Sequence, residues 1–162
     1  MLKRIYLGIG SSENREENIR SGVSDLVEAF PGSLVSPVYE TEAIGFVGEP
    51  FYNLVVGFDS DIGLRQLFVM TRAIEEAHGR QRFSAKCSGK MLDIDILIYG
   101  DLVGVHEDIE LPRDEIVSRA FVLCPLADIA PDELHPVLQR SYSELWNEFS
   151  AAQAINQIAF EW

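Results

Sequence analysis

A chain of 162 residues that is 47% hydrophobic and 24% charged can bury a sizeable core, and a single domain over residues 1–162 is expected. The formal charge of −13 excludes a general nucleic-acid binder, which presents a basic face, and the apolar runs are too short and interrupted to span a bilayer. MLKRIYLGIGSSEN has too few apolar residues for a secretory leader, and Cys87 and Cys124 lack metal-ligand spacing, so a cytoplasmic protein with free thiols is expected.

Taken in order, residues 4–9 read as a strand, and Gly8 and Gly10 lead into SSEN, where Ser11, Ser12 and Asn14 suit a helix N-cap. Ile19, Val23, Leu26, Val27 and Phe30 recur at helical spacing, which predicts a helix over 14–30, ended by Pro31-Gly32. A strand over 33–40 contains Pro37, which favours an edge or a bulge. TEAIGFVGEPFYN reads as a long loop and LVVGFDS as a strand. Leu64, Leu67, Phe68, Met70, Ile74 and Ala77 predict an amphipathic helix ending near His78-Gly79.

Residues 79–90 carry Arg80, Arg82, Lys86 and Lys90 with no acid, and LDIDILIYG follows as a strand. Strict alternation puts Leu92, Ile94, Ile96 and Ile98 on one face and Asp93, Asp95, Leu97 and Tyr99 on the other. Residues 101–118 read as loop with one short strand, Ser118 as the N-cap of a helix running to the region before Pro131, and YSELWNEF as a short terminal helix. The order β-α-β-β-α-β predicts an α+β fold, ferredoxin-like, with an antiparallel sheet, helices packed on one face and extra C-terminal helices. The Asp-x-Asp strand is expected at the sheet's centre.

The chemistry follows from charge placement. Six of the thirteen Lys and Arg lie in 79–90 or at Arg113 and Arg119, a focus that attracts a polyanionic small molecule. Asp93 and Asp95 could hold one or two Mg²⁺ ions with substrate phosphates, form an acid–base pair, pair with arginine, or face solvent. The basic loop could neutralise phosphates or be a solvated surface loop. GIGSSEN lacks a complete phosphate-binding fingerprint and reads as strand-to-helix turn chemistry. Phe46, Phe51, Tyr52 and Phe121 could stack a flat heterocycle or belong to the core, and Asn53 needs partners if buried.

YLGIGSSENREENI, YETEAIGFVGEPFYNLVV, IEEAHGRQRFSAKCSGKMLDIDILIYG and LPRDEIVSRAFVLCPLADIAP together resemble the 6-hydroxymethyl-7,8-dihydropterin pyrophosphokinase family of folate biosynthesis, over residues 5 to 131. The resemblance implies transfer of the β,γ-diphosphate of ATP to the hydroxymethyl group of the pterin with release of AMP. It implies two Mg²⁺ ions on Asp93 and Asp95, and catalytic work for Arg80, Arg82 and Lys90. It implies an ATP site drawing on Glu75, Arg80, Arg82, Lys90, Ile96, Arg113 and Arg119. It implies a pterin site drawing on Thr41, Ile44, Phe46, Asn53 and Phe121. The expected partners are therefore ATP and a reduced pterin, with no nucleic acid and no membrane; the oligomeric state is left open.

The chain departs from the family pattern at Ser12, Cys87, Gly89, Lys90 and Arg113, where Asn, Trp, Pro, Arg and His are expected. Those in the basic loop imply weaker loop closure, hence slower turnover or an altered substrate with metal and nucleotide binding kept. The alternatives are a diverged paralogue acting on a related pterin and a ferredoxin-like ligand-binding module without catalysis.

Overall fold

The computed structural model describes residues 1–42, 50–79 and 91–162. Strand β1 (Lys3–Ser11) puts Ile5, Leu7 and Ile9 into the main core and Tyr6 on the opposite face, with Gly8 and Gly10 on the Tyr6 side. Helix α1 (Arg15–Ala29) buries Ile19, Val23 and Leu26; Asn14 caps it from the left-handed region (φ 44°) without a side-chain bond. The expected strand over 33–40 is broken into β2 (Leu34–Val35) and β3 (Val38–Thr41), both antiparallel to β4 (Phe51–Ser60). Leu34 faces Gly57 but Tyr39 faces Asn53, so the register slips at Pro37. Ser36 bridges the break, its N–H donating to the Val55 carbonyl and its Oγ accepting from the Val55 N–H, each at 2.9 Å. β4 starts at Phe51, so Phe51–Asn53 belong to a strand and not to the expected loop.

Helix α2 (Leu64–Ala77) leads towards β5 (Asp93–Tyr99). The sheet order is β5-β1-β4-β3 with every pairing antiparallel, the ferredoxin-like arrangement. β5 is therefore an edge strand and not central: β1 already pairs β4 on one side, and β5 takes its other side. The alternation along β5 also fails at one point. Tyr6 faces Ile98 while Leu7 faces Ile96, so Leu97 is bulged and the faces exchange beyond it. Tyr99 accordingly joins Ile94 and Ile96 in the main core, and Ile98 joins Leu97 on the other face.

The segment after β5 is a hairpin of β6 (Gly104–His106) and β7 (Ile109–Leu111), where one short strand was expected. Its two turn residues, Glu107 and Asp108, both have positive φ (52° and 64°). The expected helix from Ser118 is α4 (Ala120–Ile129), and a further short helix, α3 (Glu115–Ser118), stands in the expected loop; the two join at Arg119, whose extended φ of −124° makes it, and not Ser118, the cap of α4. Helix α5 (Tyr142–Asn147) is capped by Ser141 Oγ, which accepts from the Glu144 N–H at 3.2 Å. A last strand, β8 (Ile155–Ile158), which the sequence reading did not anticipate, extends the sheet beyond β3.

The sheet divides two cores. Helices α1 and α2 cover one face, where Phe30 stacks on Phe58 at 3.9 Å between ring centroids. Helices α3, α4 and α5 cover part of the other, packing Ile116, Val122, Leu123, Leu126 and Tyr142 on Tyr6, Val55, Leu97 and Ile98. The remainder of that second face, at the Gly10 end of β1, is left uncovered by the described helices. No helix among the described residues is long and apolar enough to cross a membrane.

Candidate functional site

An open cavity of about 280 Å³ lies on this uncovered part of the sheet, at the small end of the size range for small-molecule sites. β1 gives Gly8 and Gly10 to its floor, β4 gives Phe51, Asn53 and Val55, and β5 gives Asp93, Asp95 and Leu97. Thr41 lines it from β3, and Glu115, Arg119, Phe121 and Val122 line it from the α3–α4 segment. The alternation of β4 sorts its residues: Tyr52, Leu54 and Val56 enter the α1–α2 core while Phe51, Asn53 and Val55 face the cavity.

The glycines are floor residues, not turn residues as the sequence reading had them. A β-carbon on Gly10 would stand 2.8 Å from Asn53 Oδ1, and one on Gly8 would stand 3.3 Å from a Leu97 methyl. Without side chains there, Asn53 lies flat on the sheet and its Nδ2 donates to Thr41 Oγ1 at 2.9 Å. Both residues are nearly buried, at 7% exposure each. An amide has a second N–H and a carbonyl oxygen to offer beyond that bond.

Asp93 and Asp95 face Gly10 and Gly8 across the β1–β5 ladder, so β1 puts no side chain beside either carboxylate. The strand between them is held from the helix side. Glu75 on α2 is 1% exposed, and its Oε2 accepts from the Ile94 N–H at 2.8 Å, while Oε1 accepts from Arg72 Nη1 at 3.3 Å. Arg113 Nη2 reaches Asp95 Oδ1 at 3.7 Å and its Nε donates to Glu115 Oε1 at 2.8 Å. Burial lowers the Arg113 pKa, but Asp95, Glu115 and Asp114 outweigh it and leave the guanidinium above its ordinary value. At the entry to β5, the Ser11 hydroxyl donates to the Met91 carbonyl.

Of the residues expected at a site, Thr41, Asn53, Asp93, Asp95, Arg119 and Phe121 line the cavity together, and Arg113 stands beside it through Asp95. Two do not line it. Ile96 points the other way and is 4% exposed in the main core, because it alternates with Asp95; Glu75 lies under β5 and holds its backbone. Arg80, Arg82, Lys90, Ile44 and Phe46 lie outside the described residues. Phe51, offered by the sequence as a stacking face, also lines the cavity, whereas Tyr52 belongs to the core; Gly8, Gly10, Leu97 and Glu115 are additional lining residues.

Among the described residues, no group of three or more His, Cys, Asp or Glu could hold a metal ion by itself. Two carboxylates on an open strand face are nevertheless the donor set that suits Mg²⁺, which takes few protein ligands and completes its shell with phosphate oxygens and water.

A profile of the 7,8-dihydro-6-hydroxymethylpterin-pyrophosphokinase (HPPK) family matches residues 6–131. The chain is 32% identical over 136 residues to a Pseudomonas aeruginosa protein named 2-amino-4-hydroxy-6-hydroxymethyldihydropteridine pyrophosphokinase, covering 82% of this chain and 83% of that one. It is 31% identical over 143 residues to the Aquifex aeolicus protein of the same name, covering 86% and 88%. Among solved structures it resembles a Plasmodium falciparum HPPK-DHPS in complex with pteroate, with a TM-score of 0.72 and 17% identity over 92% of this chain. That likeness concerns the fold alone, and this chain spans 42% of the Plasmodium chain.

Proposed function

The chain belongs to the 7,8-dihydro-6-hydroxymethylpterin-pyrophosphokinase family, and from that premise we propose that it transfers the diphosphate of ATP to the hydroxymethyl group of 6-hydroxymethyl-7,8-dihydropterin in folate synthesis. The hydroxymethyl oxygen attacks the β-phosphorus of ATP and loses its proton to water, the bond from that phosphorus to the α–β bridging oxygen breaks, and AMP leaves. The observation that carries this reading is one cavity in which Asn53, Thr41 and Phe121 stand beside Asp93 and Asp95.

The chain's own residues divide the work. The Asn53 amide, oriented by Thr41, reads the hydrogen-bonding edge of the heterocycle, and Phe51 and Phe121 supply aromatic faces for its plane. Arg119 stands on the wall where the phosphates enter, and Arg113 keeps the Asp95 carboxylate directed towards them. By the family pattern, Arg80, Arg82 and Lys90 would add positive charge for the polyphosphate. Asp93 and Asp95 would hold two Mg²⁺ ions, which supply neutralisation of the polyphosphate charge. Little else is asked of the protein, because phosphoryl transfer depends on positioning and electrostatics more than on a strong base. One sheet runs from β5 to β8 through the site, which favours a single working unit over residues 1–162, placed in the cytosol where ATP is available.

Titration calorimetry with a non-hydrolysable ATP analogue, with and without Mg²⁺, tests the nucleotide half. Binding that requires Mg²⁺ and is lost in Asp95→Ala, with cooperative unfolding retained, is the expected result. Binding that ignores Mg²⁺, or survives in Asp95→Ala, removes the metal assignment.

A further inference from the structure

Gln153 lies beyond the family-matched residues 6–131, in the segment between α5 and β8. Its Oε1 accepts from the Ala120 N–H at 2.8 Å and its Nε2 donates to the Ser118 carbonyl at 2.9 Å. Those two backbone groups bracket Arg119, the extended joint between α3 and α4. The Ala120 N–H belongs to the first turn of α4, which has no intrahelical acceptor for it, so one distant amide caps the helix and pins the chain on both sides of a cavity-lining arginine. Phe121 follows immediately and lines the same cavity.

The segment that carries Gln153 is itself fixed. Two residues on, Ile155 pairs with Thr41, which also lines the cavity. Past β8, Arg20 on α1 donates from Nε and Nη2 to the Glu161 carbonyl at 2.9 and 2.7 Å, with its guanidinium 5.5 Å from the centre of the Phe160 ring. The C-terminal segment thus contacts two parts of the site, Thr41 and the joint at Arg119.

We propose that Gln153 is a positioning residue for diphosphate transfer: it holds the joint between α3 and α4 so that Arg119 meets the nucleotide phosphates and Phe121 meets the heterocycle. This rests on the nucleotide and pterin roles given above to Arg119 and Phe121. Gln153 touches neither substrate; it acts through the backbone on either side of Arg119. A role in stability alone would lower the melting temperature and leave the affinity of the folded protein unchanged.

The test compares the full chain with Gln153→Ala, Arg119→Ala and the double variant, with Asn156→Ala on the exposed side of β8 as a control. Calorimetry with Mg²⁺ and the ATP analogue gives affinity, and steady-state kinetics with 6-hydroxymethyl-7,8-dihydropterin separates KM from kcat. Gln153→Ala is expected to weaken nucleotide binding about tenfold and to raise both KM values more than it lowers kcat. The double variant should match Arg119→Ala alone, because the two residues act as one unit. Gln153→Glu, which keeps the acceptor for Ala120, should recover part of the loss, and it carries the same comparison if Gln153→Ala fails to fold. Wild-type affinity in the Gln153 variants while Arg119→Ala is impaired, or losses that simply add, would overturn the proposal. Wild-type affinity in Arg119→Ala itself would remove the nucleotide role of Arg119 and this inference with it.

Discussion

Gly10 on β1 lies directly across the ladder from Asn53 on β4, so close that a β-carbon on Gly10 would stand 2.8 Å from Asn53 Oδ1. The absence of a side chain at Gly10 is what lets the Asn53 amide lie on the cavity floor and bond Thr41. Gly10→Ala is therefore expected to push the amide off Thr41 and raise the KM for the pterin by roughly tenfold, the equivalent of one lost hydrogen bond with partial desolvation. ATP-analogue affinity should change far less. Steady-state kinetics against each substrate checks this, and an unchanged pterin KM would show that Asn53 does not need its observed orientation.

Glu75 supports the edge strand on which Asp93 and Asp95 stand. Glu75→Ala leaves the Ile94 N–H without its acceptor in a buried place and opens a void, which is expected to cost ~2–4 kcal/mol in urea denaturation. Glu75→Gln keeps an acceptor oxygen and should cost about half as much or less. Equal losses in the two variants would mean that the charge, and not the bond to Ile94, is what the site uses.

The chain order β-α-β-β-α-β was legible in the sequence because each strand and helix carries its own period and is punctuated by Pro, Gly or a cap. The errors came where tertiary pairing decided. Nothing local marks Leu97 as a bulge, so alternation misplaced Ile98 and Tyr99. Nothing local marks β5 as an edge; that follows from β1 having two sides and β4 holding one. INQI is too short and too polar to read as a strand, and it becomes one because β3 offers it an unpaired edge. The two aspartates, Asn53 and Phe121 were legible as types suited to a phosphate and a heterocycle. The floor glycines were not, because their value lies in what Asn53 and Leu97 do above them.

The basic segment departs from the family pattern at Cys87, Gly89 and Lys90. Lysine keeps the charge and loses the planar two-point donor geometry of arginine. Lys90→Arg is expected to raise kcat several-fold with little change in ATP-analogue affinity, and Cys87→Trp to add to it. Single-turnover kinetics measures the chemical step directly. Turnover already typical of the family in the unmodified chain would contradict the expected impairment.

His135 offers a pH handle on stability away from the site. Burial lowers its pKa below the ordinary 6.5, and its Nδ1 accepts from the Val137 and Leu138 N–H groups at 3.2 and 3.1 Å. The folded state takes up a proton less readily than the unfolded chain. The contribution of the neutral ring is complete above pH 6.5 and is lost as pH falls through that value and then through the lower folded one. His135→Ala should cost ~1–2 kcal/mol in denaturant unfolding at pH 8, and the difference should shrink by about pH 5. A difference that stays constant or widens on acidification would contradict this assignment.

The central claim is that this cavity passes a diphosphate, and not a single phosphate, from ATP to a pterin alcohol. Incubating the purified chain with MgATP and 6-hydroxymethyl-7,8-dihydropterin and identifying both products by mass tests it most directly. AMP and the pterin diphosphate in equal amounts, absent in Asp95→Ala, are predicted. ADP with a monophosphorylated pterin, or no product while MgATP still binds, would contradict it.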